Sequence, residues 1–224
     1  MSRRTAGTIL AVVGALLLLD VAVTLAWREP VTWLLGRSEQ SQLSDRLDEV
    51  DRSFGASVAG RLPERGTPEI RIALAARAFG ERARTGDPLG RLEMPAIDES
   101  SIVIQGTGQA ELRKGPGHYT PTSLPGQRGT VGIAGHRTTW EQPFRRINEL
   151  KAGDRIVMAM AYGRFTYLVE KTRIVDPSEV GVLAAAGRGR ERLVLTACHP
   201  LYSAAQRIVV FARLESAVPL GVAA

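Results

Sequence analysis

Residues 192–214 read RLVLTACHPLYSAAQRIVVFARL, and this stretch indicates the fold. Two of its segments, Arg192–Ala197 and Arg207–Leu214, have the length and the β-branched, apolar content of strands. Pro200 stands between them, and a proline cannot donate to the hydrogen bonds of a central strand. The stretch therefore predicts a strand, a turn and a second strand that returns beside the first.

The same pattern of short apolar runs separated by Gly, Pro and Asp extends upstream to residue 89. One short helix is predicted at Phe144–Leu150. Seven strands between residues 89 and 215 predict an all-β domain, a closed or nearly closed β-barrel with short helices. The other five predicted strands are Leu92–Ile97, Ile102–Gln105, Thr130–Ala134, Arg155–Tyr162 and Phe165–Val175.

An apolar segment near the N-terminus, Ala6–Ala26, consists mostly of Leu, Val, Ala and Ile. It is long enough, as a helix, to cross a hydrocarbon core of about 30 Å. Arg3 and Arg4 precede it, and the positive-inside tendency keeps such residues in the cytoplasm. We therefore predict a single-pass membrane protein, with the bulk of the chain outside the cytoplasm. A cleaved signal peptide and a soluble core helix are the alternatives.

Two segments with apolar residues at helical spacing, Glu39–Phe54 and Glu69–Arg84, separate this anchor from the predicted barrel. They are either a spacer that holds the domain away from the membrane or an ordinary pair of surface helices. The predicted division is a cytoplasmic N-terminus (1–5), a transmembrane signal anchor (6–27), a helical stalk (28–88), a catalytic β-barrel (89–215) and a C-terminal tail (216–224).

Composition excludes several classes of function. The chain has 29 Lys and Arg against 23 Asp and Glu, but aromatic residues make up only 5%, so nucleic-acid binding is not indicated. The one cysteine excludes an internal disulfide, and the three histidines do not have the spacing of a zinc site. No phosphate-binding or dinucleotide-binding glycine motif occurs, and we expect neither a metal nor a cofactor.

The single cysteine, Cys198, follows directly after a predicted strand, where a side chain is accessible. A buried, inert thiol is the alternative, because free cysteines are usually buried. A nucleophilic thiol needs a base or a cation nearby. His136 also follows a strand, whereas His199 is adjacent to Cys198 and faces the other way. Arg207 begins the next strand and is a candidate to stabilise an oxyanion.

These residues, taken in order, resemble the sortases, the membrane-anchored cysteine transpeptidases of Gram-positive bacteria. The resemblance covers residues 89–214, and its upstream part is similar to the actinobacterial class E group. The matching segments are Gly135-His136-Arg137, Leu195–Cys198, Gln206–Val210, Phe144–Leu150 with Gly153-Asp154, and, for class E, Gly115–Tyr119 with Leu124–Gln127.

The resemblance implies that His136, Cys198 and Arg207 catalyse transpeptidation. The thiolate would attack a sorting signal of the LPxTG or LAxTG kind in a surface protein, and an amine of a peptidoglycan precursor or a pilin would resolve the thioester. It also implies substrate binding by Tyr119, Thr196 and Ala197. The usual T-L-x-T-C pattern is changed, because Val194 and Ala197 occupy both threonine positions.

Two other functions compete with this interpretation. A thiol hydrolase of cell-wall peptides would use the same cysteine and histidine without an amine acceptor. A catalytically silent, membrane-tethered binding domain would need neither residue.

Overall fold

The computed structural model describes residues 3–26, 30–58, 66–187 and 189–219. Four helices occur in these ranges: α1 (Arg3–Ala26), α2 (Pro30–Val58), α3 (Pro68–Gly80) and α4 (Gln109–Leu112). The strands are β1 (Pro88–Met94), β2 (Glu99–Gln105), β3 (Gly117–His118), β4 (Gly129–Ala134), β5 (Arg155–Met160), β6 (Gly163–Val175), β7 (Glu191–His199) and β8 (Gln206–Pro219).

The strands form one closed barrel in the order β1-β2-β3-β4-β7-β8-β6-β5, and β5 pairs with β1 to close it. The predicted closed β-barrel is therefore confirmed. It has eight described strands, and the one not predicted is β3, which has only two residues. β4 and β7 are parallel neighbours, and β7 and β8 are antiparallel neighbours.

Alternation along the strands separates an inner face from an outer face. On β7, Leu193, Leu195 and Ala197 belong to the main core inside the barrel. Val194, between them, instead belongs to a separate outer cluster with Val175, Val209 and Phe211. The position of a residue on a strand therefore fixes whether it faces the core or the outer surface.

Helices α2 and α3 pack directly on the barrel. Phe54 of α2 and Phe79 of α3 are buried in the main core, with their ring centroids 5.2 Å apart in an edge-to-face arrangement. Leu43 forms a second cluster with Ile102 of β2. The Gln40 side chain accepts from the Ile102 N–H (2.7 Å) and donates to the Lys114 carbonyl (2.7 Å), so it covers part of the edge of β2. The predicted stalk thus includes two helices that cover the barrel.

Helix α1 coincides with the predicted anchor segment. Many of its large apolar side chains are exposed, among them Leu10 and Leu18. Within the described ranges, however, no helix has both the length and the apolar character that a membrane crossing requires. This result does not support the predicted transmembrane span over residues 6–27, of which residue 27 lies outside the described residues.

Two local predictions are corrected. Phe144–Leu150 is not a helix but a series of turns with one 3-10 turn at Ile147–Glu149. The predicted tail (216–224) is strand up to Pro219, because Ser216 and Ala217 pair with Thr166 and Phe165 of β6. Residues 220–224 lie outside the described part of the chain.

Candidate functional site

Cys198 and Arg207 are directly opposed in the antiparallel pairing of β7 with β8. Opposed residues in such a pair project to the same face, with their Cβ atoms about 5 Å apart. Both are on the outer face, because Val194 on β7 and Val209 and Phe211 on β8 share their alternation. Both are partly exposed. The barrel therefore places the side chains of Cys198 and Arg207 as cross-strand neighbours on its outer surface.

His136 follows β4, which pairs with β7 on the side opposite to β8 and Arg207. The last parallel pair between β4 and β7 joins Ala134 to Thr196, and the Gly135 N–H continues the ladder to the Thr196 carbonyl at 3.0 Å. Ala134 pairs with Thr196. His136 is two residues after Ala134, and Cys198 is two residues after Thr196. His136, Cys198 and Arg207 thus come from three adjacent chain segments, and we call them the row of Cys198.

Phe144 packs against Gly135 and His136, and these contacts hold the loop that carries His136. A Cβ atom at Gly135 would lie 2.5 Å from the Phe144 ring, so only glycine fits there without a shift. The Phe144 N–H also donates to the His136 carbonyl at 3.0 Å. Burial lowers the pKa of His136, which favours the neutral imidazole at neutral pH.

Arg207 is held at the turn between β7 and β8. Its Nη1 donates to the carbonyl oxygens of Ala204 and Gln206, each at 2.9 Å. These contacts tie the guanidinium group to the turn between the two strands, at the start of β8.

Tyr119 and Thr196 are in contact on the outer face of the barrel, where Thr196 lies two residues before Cys198 on β7. The Tyr119 hydroxyl and the Thr196 Oγ1 are hydrogen-bonded at 2.9 Å, and Thr196 shares the face of Cys198 by alternation. Tyr119 and Leu183 converge above Gly132, because a Cβ atom at Gly132 would lie within 3.1 Å of both. The outer surface at Gly132 is therefore closely covered, on the strand that pairs with β7.

One predicted substrate-binding residue, Ala197, lies elsewhere, and so does His118, the first of the three histidines of the chain. Ala197 is 4% exposed and belongs to the core inside the barrel, so the structure gives no support to its predicted contact with substrate. His118 is 2% exposed and is hydrogen-bonded to Gln105 Oε1 (2.7 Å) and to the Ser123 carbonyl (3.0 Å). It joins the β3 segment to its neighbours, and it is not in the row of Cys198.

The two departures from the T-L-x-T-C pattern fall on positions that pack. Val194 is fully buried in the outer apolar cluster, and Ala197 is buried in the core. Thr196 remains as the hydroxyl residue that shares the outer face with the cysteine.

Arg137 is the residue near this site that the sequence did not single out. It is 4% exposed, and its Nη1 donates to the Cys198 carbonyl at 3.4 Å and to His199 Nδ1 at 3.2 Å. Its position directly after His136 was the available signal, but sequence alone does not distinguish a buried arginine from the many exposed ones.

No metal site is evident in the part of the chain that the structure describes, since no three His, Cys, Asp or Glu side chains are grouped to hold an ion. The expectation that neither a metal nor a cofactor takes part stays a prediction.

Comparison with known proteins gives a consistent result. The family model described as the sortase domain matches residues 92–215. Sortase D of Bacillus subtilis (strain 168) is 34% identical over 135 residues, which are 59% of this chain and 66% of that protein. Sortase SrtE1 of Streptomyces coelicolor is 30% identical over 149 residues, which are 60% of this chain and 42% of that protein.

Among solved structures, sortase E from Streptomyces avermitilis superimposes with a TM-score of 0.55 at 33% identity, covering 61% of this chain and 93% of that chain. The chain spans less than two thirds of the length of the curated relatives named above.

Proposed function

The chain belongs to the sortase family, and we propose that it is a cysteine transpeptidase with His136, Cys198 and Arg207 as its catalytic residues. The observation that carries the proposal is the register of three adjacent segments. Cys198 opposes Arg207, and the β4–β7 ladder leads to His136 on the other side. A nucleophile, a proton donor and a cation from three segments are what acyl transfer through a thioester needs.

In the first step, the Cys198 thiolate attacks the carbonyl carbon of a threonine in a sorting signal. A C–S bond forms, and the carbonyl oxygen takes the negative charge, which Arg207 stabilises as a hydrogen-bond donor. The imidazolium of His136 then gives its proton to the leaving amine nitrogen as the C–N bond breaks. The products are a thioester on Cys198, a released peptide with a free amine, and a neutral His136.

In the second step, an amine of a cell-wall precursor or a pilin attacks the thioester carbonyl. Neutral His136 accepts a proton from the attacking nitrogen as the new C–N bond forms. The C–S bond breaks and returns the thiolate, so the enzyme ends in the state in which it began.

This cycle needs His136 protonated and Cys198 ionised at the same time. Burial lowers the pKa of His136, so the protonated imidazole is a minority form at neutral pH. Raising the pH removes that proton, and lowering the pH protonates the thiolate. We therefore expect a bell-shaped dependence of kcat/KM on pH.

We assign Tyr119 and Thr196 to the binding of the sorting signal, of an LPxTG or LAxTG kind. Their support is the hydrogen bond between them and their place on the outer face that leads to Cys198. Ala197 is left out of this assignment because it packs in the core.

The deciding experiment incubates the protein with a panel of signal peptides, varied at the second and third positions, with and without an amine acceptor. Mass spectrometry should find the ligated peptide only with the acceptor present. Formation of hydrolysis products alone would favour a thiol hydrolase instead. No covalent adduct and no product with any peptide would favour a binding domain.

We also propose that the enzyme acts outside the cytoplasm, attached to the membrane surface. Sortases are in general membrane-associated cell-wall enzymes, and exposed apolar side chains such as Leu10 and Leu18 of α1 need a cover. Membrane fractionation of cells that express the full chain, with a variant lacking residues 1–27 as the control, tests this. Recovery of the full chain in the supernatant would contradict it.

A further inference from the structure

Arg137 is buried, and it contacts the backbone of Cys198 near the end of β7. All three of its guanidinium nitrogens have acceptors: Nη1 faces the Cys198 carbonyl and His199, and Nη2 donates to Asn148 Oδ1 at 2.6 Å. The third nitrogen, Nε, donates to the Arg145 carbonyl at 3.4 Å. These contacts tie the His136 loop to the end of β7.

The acceptors of Arg137 are all uncharged. In the described part of the chain, the ion pairs found between arginines and carboxylates do not include Arg137. A buried charge without a counter-charge is costly, even when its donors are satisfied. The structure therefore contains a fixed positive charge beside the nucleophile that hydrogen bonds alone do not neutralise.

The ionisable groups that face this charge are Arg145, the nucleophile and His199, whose Nδ1 accepts from Arg137 Nη1 at 3.2 Å. Burial lowers the pKa of Arg137, the nearby Arg145 lowers it further, and the Cys198 thiolate raises it. The Arg137 guanidinium donates to the backbone of the residue that carries the thiol, so its charge is close enough to favour a negative charge on that side chain.

We propose that Arg137 is a positioning residue that holds the end of β7 through the Cys198 carbonyl and favours the ionised form of the Cys198 thiol by its buried charge. It does not touch the reacting atoms, and it differs in this from Arg207 on the outer face. The inference rests on the proposed function only in taking Cys198 as the nucleophile.

The first test measures the rate at which iodoacetamide alkylates the protein as a function of pH, at constant ionic strength. Cys198 is the only cysteine, so the rate reports this thiol alone. For Arg137→Met we expect the profile to move to higher pH by about one unit, which is about a tenfold slower reaction at neutral pH. Arg137→Lys keeps the charge and should move the profile less, and Arg146→Met, which removes an exposed arginine, should not move it.

A second pair of variants separates charge from packing and leaves Arg137 in place. Asn148 is exposed and contacts Arg137 Nη2, so Asn148→Asp puts a carboxylate against the guanidinium, whereas Asn148→Ala only removes the hydrogen bond. We expect Asn148→Asp to move the alkylation profile to higher pH relative to Asn148→Ala. A purely structural role for Arg137 predicts the same profile for both.

Coincident profiles for the two Asn148 variants would overturn the proposal, even if Arg137→Met does not fold. A folded Arg137→Met protein with the wild-type profile would also overturn it. Alkylation needs no peptide substrate, so these outcomes are independent of the ligation experiment. Failure of ligation in the wild-type protein would count against the proposed function and leave the alkylation result readable.

Discussion

The two ends of β7 differ in how their ionisable side chains are buried and hydrogen-bonded. At the start of the strand, Glu191 is 8% exposed and accepts three hydrogen bonds: from the Gly126 N–H (2.9 Å), the Arg128 N–H (3.1 Å) and the Tyr167 hydroxyl (2.6 Å). At the other end, Cys198 is partly exposed on the outer face, opposite Arg207.

This difference indicates that the Glu191 end of the strand contributes to stability and the Cys198 end to the reaction. Burial raises the pKa of Glu191, and its three hydrogen bonds oppose that rise, so the carboxyl group fastens the turn before β4 to the barrel. Cys198 is set in place by strand register, which leaves the thiol accessible. We infer that substitutions at the Glu191 end change stability first, and that substitutions at the Cys198 end change activity first.

The largest expected effect is at Cys198. Cys198→Ala removes the nucleophile, and we expect ligation of a signal peptide to an amine to fall on the order of 10⁴-fold or more. The free energy of unfolding, measured by urea denaturation, should change by less than about 1 kcal/mol, because the side chain is small and partly exposed. Residual ligation near the wild-type rate would remove Cys198 from the mechanism.

Arg207 should give the next largest effect. Arg207→Ala removes a donor for the developing oxyanion, so we expect kcat/KM to fall by about 10² to 10³-fold. Arg207→Lys should lie between this variant and the wild type. Arg213→Ala is the matched control, because Arg213 is exposed on the same face of β8. Equal losses for Arg207→Ala and Arg213→Ala would show only a general charge effect.

At the opposite end, Glu191→Ala should leave activity per folded molecule unchanged and lower stability. One buried donor, the Tyr167 hydroxyl, and two part-buried backbone N–H groups would lose their acceptor, at a cost of about 2 kcal/mol in the free energy of unfolding. Glu191→Gln keeps an acceptor for the backbone N–H groups and should cost less. Urea denaturation with a ligation assay on the folded fraction measures both quantities.

The pH dependence of stability sharpens the same comparison. The folded-state pKa of Glu191 is raised above its unfolded value, so the folded state binds the proton more tightly. The contribution of this group is therefore fully present at low pH and is lost as the pH rises through the folded-state pKa. Glu191→Gln should not lose stability in this way as the pH rises. An identical pH dependence of stability in the wild type and in Glu191→Gln would contradict this prediction.

The smallest effect is expected for the hydrogen bond between Tyr119 and Thr196. Tyr119→Phe and Thr196→Val each remove it, and we expect a loss of about 0.5–1.5 kcal/mol, or a few-fold in kcat/KM. The double variant should lose little more than either single variant, because the two changes remove one bond. Fully additive losses would mean that the two hydroxyl groups act separately.

The strands that carry the candidate site could be predicted because each has a recognisable pattern in its own local sequence. β7 and β8 combine alternating apolar residues with a proline between them, and β4 ends at a Gly-His pair. β3 could not be predicted in this way, since Gly117 and His118 follow a Gly-Pro pair that indicates a turn. Its pairing with β2 and β4 depends on residues distant in the chain.

Packing explains the predictions that failed. Phe144, Ile147 and Leu150 have helical spacing, yet all three are buried through successive turns rather than on one helix face. The burial of Arg137 depends on the end of β7 and on Asn148, which are far from it in sequence. No local pattern reports such contacts.

The contact of Gln40 with the edge of β2 bears on how the protein can be shortened. A version cut at the predicted boundary between residues 88 and 89 would keep the row of Cys198 but lose α2 and α3. The Ile102 N–H would lose its side-chain acceptor, and the barrel surface under Phe54 and Phe79 would be open to water. Bare strand edges and apolar surfaces promote self-association, so recombinant versions should begin before Gln40.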